Sequence, residues 1–388
     1  MTSSFFIFIF SFPNALPNAA HIRQCLFFTE FQEVLTVNIH LFQQTLSSGE
    51  AYLVSSPENR RYLTEFSSTD GFLIVTKNEA VFLTDSRYIE AAQNQVKGCS
   101  EISQLNSLSA QLPEYLKKLG IEKLFTESAR ITVEEFNRIS KIAPCSVSAE
   151  KTDGEINNLR RKKSEEEKNC IIRAQIIAEK AFEHILGFIS IGKTEKEIAL
   201  ELDFFMLKNG AEAVSFETIA VSGANSSMPH GVPSEKKIEN GDFITMDFGA
   251  VINGYHSDMT RTVAVGSVST KQAEIYETVL NAQLASLAVL KDGISGFDAD
   301  KAARDIISAA GYGNYFGHGT GHGVGIEIHE EPRLSPKTDK ILCEGDIVTV
   351  EPGIYLPGEF GVRIEDMAFI TKNGAENLTK SPKNLIII

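Results

Sequence analysis

Four carboxylates stand where a strand would bury them, and any fold for this chain has to accommodate that. DFITMDFGAVINGYHSDMTRTVAVG (242–266) reads as two strands around Asn253-Gly254, carrying Asp247 and Asp258. Asn-Gly is the strongest two-residue hairpin signal, because a type I′ turn needs positive φ at both central positions. With that turn as pivot, Asp247 lies opposite Thr260. Side chains alternate at period two, so Asp258 shares the face of Asp247 as its diagonal neighbour, roughly 7–8 Å away between backbones. Two carboxylates on one buried face repel unless a cation lies between them. Taken alone, the hairpin leaves a second arrangement open, with one aspartate capping the turn and the other paired with Arg261.

A second acidic hairpin tips that balance. DIVTVEPGIYLPGEFGVRIEDMAFIT (346–371) puts Glu351 at the end of an apolar strand and Glu365 inside another, with Arg363 close by. Two divalent cations would balance four negative charges, with a neutral imidazole free to complete the ligand set. Oxygen-rich sites with one nitrogen suit Mn²⁺, Co²⁺, Fe²⁺ or Zn²⁺. Paired metals about 3.5–4 Å apart activate water for hydrolysis. Imidazoles come from GHGTGHGVGIEIHEEP (317–332), which holds His318, His322 and His329. It contains no G-x-G-x-x-G and no following Lys-Ser or Lys-Thr, which argues against a phosphate cradle. Its glycines instead let backbone and substrate approach the rings without a Cβ in the way.

At 388 residues the chain calls for two domains. From about residue 50, YLVSS (52–56), FLIVT (72–76) and AVFLTD (80–85) read as strands between helical segments, giving a small α/β domain over 38–155. LRRKKSEEEK (159–168) reads as a solvated helix start, with Ser164 and Glu167 forming a capping box. Thr194 and Glu197 form another, on a helix ending at Asn209-Gly210, and further helices fit 271–291 and 299–310. The second domain, 156–388, then has two related halves, each running helices and then an acidic hairpin. A net charge of −14 argues against nucleic acid or an anionic membrane surface as partner. No stretch reaches the ~18 apolar residues of a membrane span. Five widely spaced cysteines without C-x-x-C fit reduced thiols in the cytoplasm. Residues 1–37, with the apolar run Phe5–Phe12, lack the basic start of a signal peptide and read as an extension outside the fold.

The set SGANSSMPHG (222–231), MDFGA (246–250), HSDMTRT (256–262), HGTGHGVGIEIHEEP (318–332), TVEPGIY (349–355) and GVRIED (361–366) resembles the proline-specific metallopeptidases of the pita-bread fold. These are the Xaa-Pro aminopeptidases and Xaa-Pro dipeptidases (prolidases). The resemblance runs from about residue 38 to the C-terminus. It implies a creatinase-type α/β N-terminal domain followed by an α+β pita-bread catalytic domain with pseudo-twofold halves. It further implies two divalent ions per subunit, Mn²⁺ foremost, with Co²⁺, Zn²⁺ or Fe²⁺ as substitutes. Asp247, Asp258, His322, Glu351 and Glu365 would be the ligands, Asp258 and Glu365 bridging. Glu351 would shuttle the proton of the attacking water. His230, His318 and His329 would bind substrate and stabilise the tetrahedral intermediate, and Arg363 would fix the Glu365 network. His256 receives no role, and His21, His40 and His184 read as structural or surface residues.

Three rivals share the fold. Methionine aminopeptidases usually lack the N-terminal domain, creatinases lack the metal site, and a non-catalytic binding module would be expected to have lost ligands. The implied reaction is release of an N-terminal residue from a peptide with proline second, by an aminopeptidase; a dipeptidase acting only on dipeptides is the alternative. The expectation of an open cleft rests on Arg363 being the only basic residue in the catalytic motifs of the second half. A homodimer is the family's usual habit.

Overall fold

The computed structural model describes residues 38–149 and 153–388. The expected extension 1–37, with its Phe5–Phe12 run, His21 and Cys25, lies outside the described residues. From Asn38 the chain runs α1 (Asn38–Gln43), β1 (Glu50–Val54), α2 (Pro57–Thr64), β2 (Phe72–Thr76), β3 (Ala80–Thr84), α3 (Ile89–Gln95), β4 (Glu101–Gln104), α4 (Leu108–Lys118), β5 (Lys123–Thr126), α5 (Val133–Ile142) and β6 (Ser146–Ser148). These strands form one mixed sheet in the order β4-β3-β2-β1-β5-β6. Both its faces are covered, so the strands read as near-continuous apolar runs. In β1, Tyr52 and Val54 join a core with Ile39, Phe42 and Leu63, while Ala51 and Leu53 join another with Leu112, Leu116 and Ile139. The first strand ends at Val54 rather than Ser56, because Ser56 caps α2 and its hydroxyl accepts from the Asn59 amide.

The next helix, α6 (Asp153–Arg161), ties this domain to the rest of the chain. Its Ile156 is buried in the N-terminal core beside Ile39 and Phe42. The expected boundary after residue 155 therefore falls inside a helix. The solvated reading of LRRKKSEEEK holds for Lys162 but is corrected for Arg160, Arg161 and Lys163. Arg160 donates to Asn59 Oδ1 (2.9 Å) in the first domain and to Glu327 (2.8 Å) and Glu330 in the second. Lys163 Nζ lies 3.1 Å from Glu330, and Arg161 Nη2 lies 2.7 Å from Asp346. Local sequence could not show this, since the acidic partners are far along the chain. The capping boxes at Ser164 and Thr194 are both present.

Then follow α7 (Glu165–Phe188), α8 (Glu195–Lys208), β7 (Ala213–Val214), β8 (Ile219–Ser222), β9 (Phe243–Phe248), β10 (Ala250–Ile252), β11 (Tyr255–His256), β12 (Met259–Ala264), α9 (Thr270–Val289) and α10 (Gly296–Ala309). The chain finishes with β13 (Gly321–Gly323), β14 (Glu330–Leu334), β15 (Ile347–Val350), β16 (Gly353–Leu356), β17 (Phe360–Arg363), β18 (Asp366–Thr371) and β19 (Gly374–Asn377). Each half holds a nested pair of hairpins. Asn253 (φ 49°) and Gly254 (φ 73°) make the first turn, and their register holds through the inner pair, Val251 opposite His256, and the outer pair, Asp247 opposite Thr260. The second half nests β16–β17 inside β15–β18. Where inner and outer pairs part, the chain changes sheet, and three of the four carboxylates sit at those breaks. Asp258 lies between β11 and β12, Glu351 between β15 and β16, and Glu365 between β17 and β18. Glu365 is thus not inside a strand as expected; its amide leaves the ladder and donates to Thr260 O (3.1 Å), joining the two halves.

The interdomain clamp centred on Glu330 should be measurable. Burial alone would raise the Glu330 carboxyl, but Lys163 and Arg160 beside it hold it at about 2. A folded value below the unfolded one of about 4.3 means that the clamp stabilises at neutral pH and fades as pH falls through about 4 toward about 2. Glu330→Ala leaves two buried cations short of a partner and should cost about 3 kcal/mol of unfolding free energy at pH 7, read by urea denaturation. A loss under about 1 kcal/mol, the scale of a surface pair, would contradict the clamp.

Candidate metal centre

The strand breaks turn acidic side chains of both halves toward His322 in β13. His322 Nε2 lies 3.6 Å from Asp258 Oδ2 and 3.5 Å from Glu351 Oε1. One ligand atom from each of Asp258, His322 and Glu365 falls within 4.8 Å of the others. His322 Nδ1 is 3.1 Å from Gly323 O. A carbonyl only accepts, so Nδ1 carries the proton and Nε2 presents its lone pair to the carboxylates. Burial, and then His329, push the imidazole down to about 3, so it is neutral at physiological pH.

The carboxyls respond in the opposite sense. Burial raises Asp258 well above its ordinary value, and the charges of Glu365, Asp247 and Glu351 raise it further. Burial likewise raises Glu365, with Glu351 and Asp247 adding to it, and lifts Glu351 to about 8 against the pull of Arg363. Asp247 is placed differently. Its Oδ2 accepts from Arg363 Nη2 at 2.6 Å, while its buried Oδ1 has no hydrogen-bond partner among the described residues. One guanidinium thus faces four crowded acids, one of them with an orphaned oxygen. That is the donor set divalent cations satisfy, so the residues fit a metal site.

Arg363 is fully engaged, though not as expected. It meets Asp247 directly and reaches Glu365 only through Thr260, whose hydroxyl accepts from Arg363 Nε (3.0 Å) and donates to Glu365 Oε2 (2.6 Å). Its Nη1 donates to Tyr355 Oη (3.0 Å) and Pro229 O (3.2 Å). Tyr355 in turn lies 2.9 Å from His318 Nε2, and His318 Nδ1 lies 2.8 Å from Gly319 O. Both ring nitrogens of His318 are therefore hydrogen-bonded within the protein, while the residue lines the cavity. His230 and His329 also line the cavity, and their rings make no hydrogen bond among the described residues. His329 packs edge-on against His322, with ring centroids 4.5 Å apart.

Sequence reasoning missed Thr260, Tyr355 and Arg333. Tyr355 lay in the quoted TVEPGIY, where a buried phenol needs a hydrogen-bond partner. Arg333, opposite His322 in β14, lines the cavity and makes no ion pair among the described residues. The other described histidines have partners away from the cluster: His256 Nδ1 lies 2.9 Å from Ser215 Oγ, His40 pairs with Gln43 and His184 with Glu201. Asp247, Asp258, His322, Glu351 and Glu365 all line one cavity of about 510 Å³.

A cavity lined by this donor set suits a metal-dependent hydrolase, and comparison with known proteins gives the class. Residues 169–372 match metallopeptidase family M24, and residues 47–162 match the creatinase/prolidase N-terminal domain. The chain belongs to metallopeptidase family M24, with the pita-bread catalytic fold behind a creatinase-type N-terminal domain. It is similar in structure to an Xaa-Pro dipeptidase from Bacillus anthracis (46% identity, TM-score 0.84, covering 87% of this chain and 95% of that one). It is also similar to an X-Pro aminopeptidase from Thermotoga maritima (35%, TM-score 0.82, covering 89% and 99%). Among curated sequences, an Xaa-Pro dipeptidase of Pyrococcus horikoshii is 40% identical over 342 residues, covering 88% of this chain and 95% of the relative.

Two measurements probe the centre. Asp258→Asn should bind far less Mn²⁺ than the unaltered protein by elemental analysis, and equal stoichiometry would contradict its place among the ligands. Carboxyls held above their ordinary values keep their protons to higher pH, so binding must displace protons and strengthen as pH rises. Adding Mn²⁺ to metal-free protein in weak buffer should therefore release protons, fewer for Asp258→Asn. No proton release would mean that the carboxyls are not crowded as described.

Proposed function

We propose that this metallopeptidase hydrolyses the peptide bond preceding proline, releasing the N-terminal residue as an Xaa-Pro aminopeptidase. The observation that carries this reading is the convergence of Asp258, Glu365 and His322, with Glu351 and Asp247 beside them, in one cavity. These five would hold two divalent ions, Mn²⁺ foremost. Bound there, the ions would activate water and polarise the scissile carbonyl. With the ions bound, Glu351 would take the proton of the attacking water and hand it to the departing proline nitrogen. His230 and His329 offer free ring nitrogens to the substrate carbonyl as charge develops on its oxygen. His318, through Tyr355, keeps Arg363 aimed at Asp247.

Proline lacks an amide hydrogen and has a locked φ, so a site for it must recognise shape and carbonyl rather than an N–H. A peptide with proline second is the proposed substrate, without nucleic acid or membrane. The proposal extends to a homodimer, and to the cytoplasm, where the free thiols of Cys99, Cys145, Cys170 and Cys343 would stay reduced.

A dipeptidase is the second reading, and Arg333 favours it. The case for an open cleft counted Arg363 alone, whereas Arg333 adds an unpaired guanidinium to the cavity wall, able to meet a proline carboxylate. Comparing kcat/KM for an Xaa-Pro dipeptide, an Xaa-Pro-Yaa tripeptide and an Xaa-Ala-Yaa control separates the readings. The aminopeptidase should prefer the tripeptide by about tenfold, a difference of roughly 1.4 kcal/mol. Cleavage of the dipeptide alone, lost in Arg333→Ala, would establish the dipeptidase. Comparable cleavage of the alanine control would overturn proline specificity altogether.

A further inference from the structure

Glu195 opens α8, is wholly buried and belongs to no ion pair among the described residues. Its carboxylate is held instead by donors from the two ends of one loop. Oε1 accepts from Ser222 N (2.7 Å), Ser222 Oγ (3.0 Å) and Asn225 Nδ2 (3.1 Å). Oε2 accepts from Ser234 N (3.0 Å), Ser234 Oγ (2.6 Å) and Asn225 Nδ2 (3.2 Å). A buried carboxylate is tolerated only with such donors, and its place in the first helical turn adds the favourable end of the helix dipole.

Between Ser222 and Ser234 the chain carries Pro229, His230, Gly231, Val232 and Pro233, all of which line the cavity. The middle of this loop has two ties of its own: Ser226 Oγ accepts from the Gly361 amide (2.9 Å), and Pro229 O accepts from Arg363. Its two ends meet on the two oxygens of one side chain. The second half repeats the device. Asp300 in α10, also buried, accepts from Thr320 N (3.0 Å) and Thr320 Oγ1 (2.9 Å), and its partner Arg304 donates to His318 O (2.7 Å). Each half thus fastens a histidine-bearing loop to its own second helix through a buried carboxylate.

We infer that Glu195 is a positioning residue: by clasping both ends of the 222–234 loop it fixes how His230 meets the substrate, a role that rests on the peptidase reading above. The bland alternative is a carboxylate that stabilises the fold and nothing more. Glu195→Gln separates the two, because it keeps the size but turns one acceptor into an N–H₂ facing other donors. Amide exchange in segment 222–234 should rise by about tenfold or more, while the β15–β18 segment exchanges as before. Mn²⁺ content should stay unchanged. KM for an Xaa-Pro peptide should rise by about tenfold with kcat altered less than about threefold, the pattern of lost substrate binding. Added to His230→Ala, the substitution should produce no further rise in KM, since coupled residues are not additive. Ser234→Ala should show the same pattern more weakly, which keeps the test decisive should the glutamine variant fold poorly. Unchanged exchange in the loop, exchange raised equally along the whole chain, or effects that simply add to those of His230→Ala would overturn the inference. If the unaltered protein cleaves no Xaa-Pro peptide, the peptidase reading fails, and amide exchange still decides whether Glu195 clasps the loop.

Discussion

The mutual repulsion of four carboxylates around one neutral imidazole is the constraint the rest of the molecule serves. Left in apolar surroundings, Asp258, Glu365 and Glu351 are all pushed above their ordinary values, first by burial and then by the other acids. Arg363 enters among them, committed to Asp247, Thr260 and Tyr355, while Arg333 stands in the cavity wall. Keeping such a set together requires a frame that cannot relax. Nested hairpins supply it: the breaks between inner and outer pairs aim the side chains inward, while the flanking strands stay locked in their ladders. The Glu365 amide on Thr260 O stitches one frame to the other.

Around this frame the helices act as anchors. In the first half, Ile198, Leu202 and Met206 of α8 pack with Ile244, Met246 and Phe248 of β9, so the strand carrying Asp247 is backed by an apolar layer. The N-terminal domain connects through charge as well as packing. Arg160 joins Asn59 to Glu327 and Glu330, which flank His329 in the chain, so the position of the first domain bears on a wall of the cavity. A second, smaller cavity of about 190 Å³ lies along this junction and shares His329 and Arg333 with the first.

What could be read from sequence was whatever is encoded locally. Asn253-Gly254 set a register that holds as far as Asp247 opposite Thr260, because a type I′ turn allows no slippage. Ser164 with Glu167, and Thr194 with Glu197, marked their helix starts for the same reason. Contacts between distant segments were not legible. The basic run at 160–163 looked like a solvated face because nothing nearby in sequence reveals Glu327, Glu330 or Asp346 as partners. Asp247 and Glu365 looked alike as acids in strands, yet one is paired with Arg363 and the other sits at a strand break. Arg333 escaped notice because it stands outside the glycine-rich motif, although the β13–β14 pairing sets it opposite His322.

These five side chains, on the reading proposed above, are arranged to hold a pair of cations. Anomalous diffraction from crystals soaked in Mn²⁺ tests it most directly. Two peaks about 3.5–4 Å apart, ringed by Asp247, Asp258, His322, Glu351 and Glu365, are the predicted result. An empty cluster, or manganese bound only elsewhere on the protein, would contradict it.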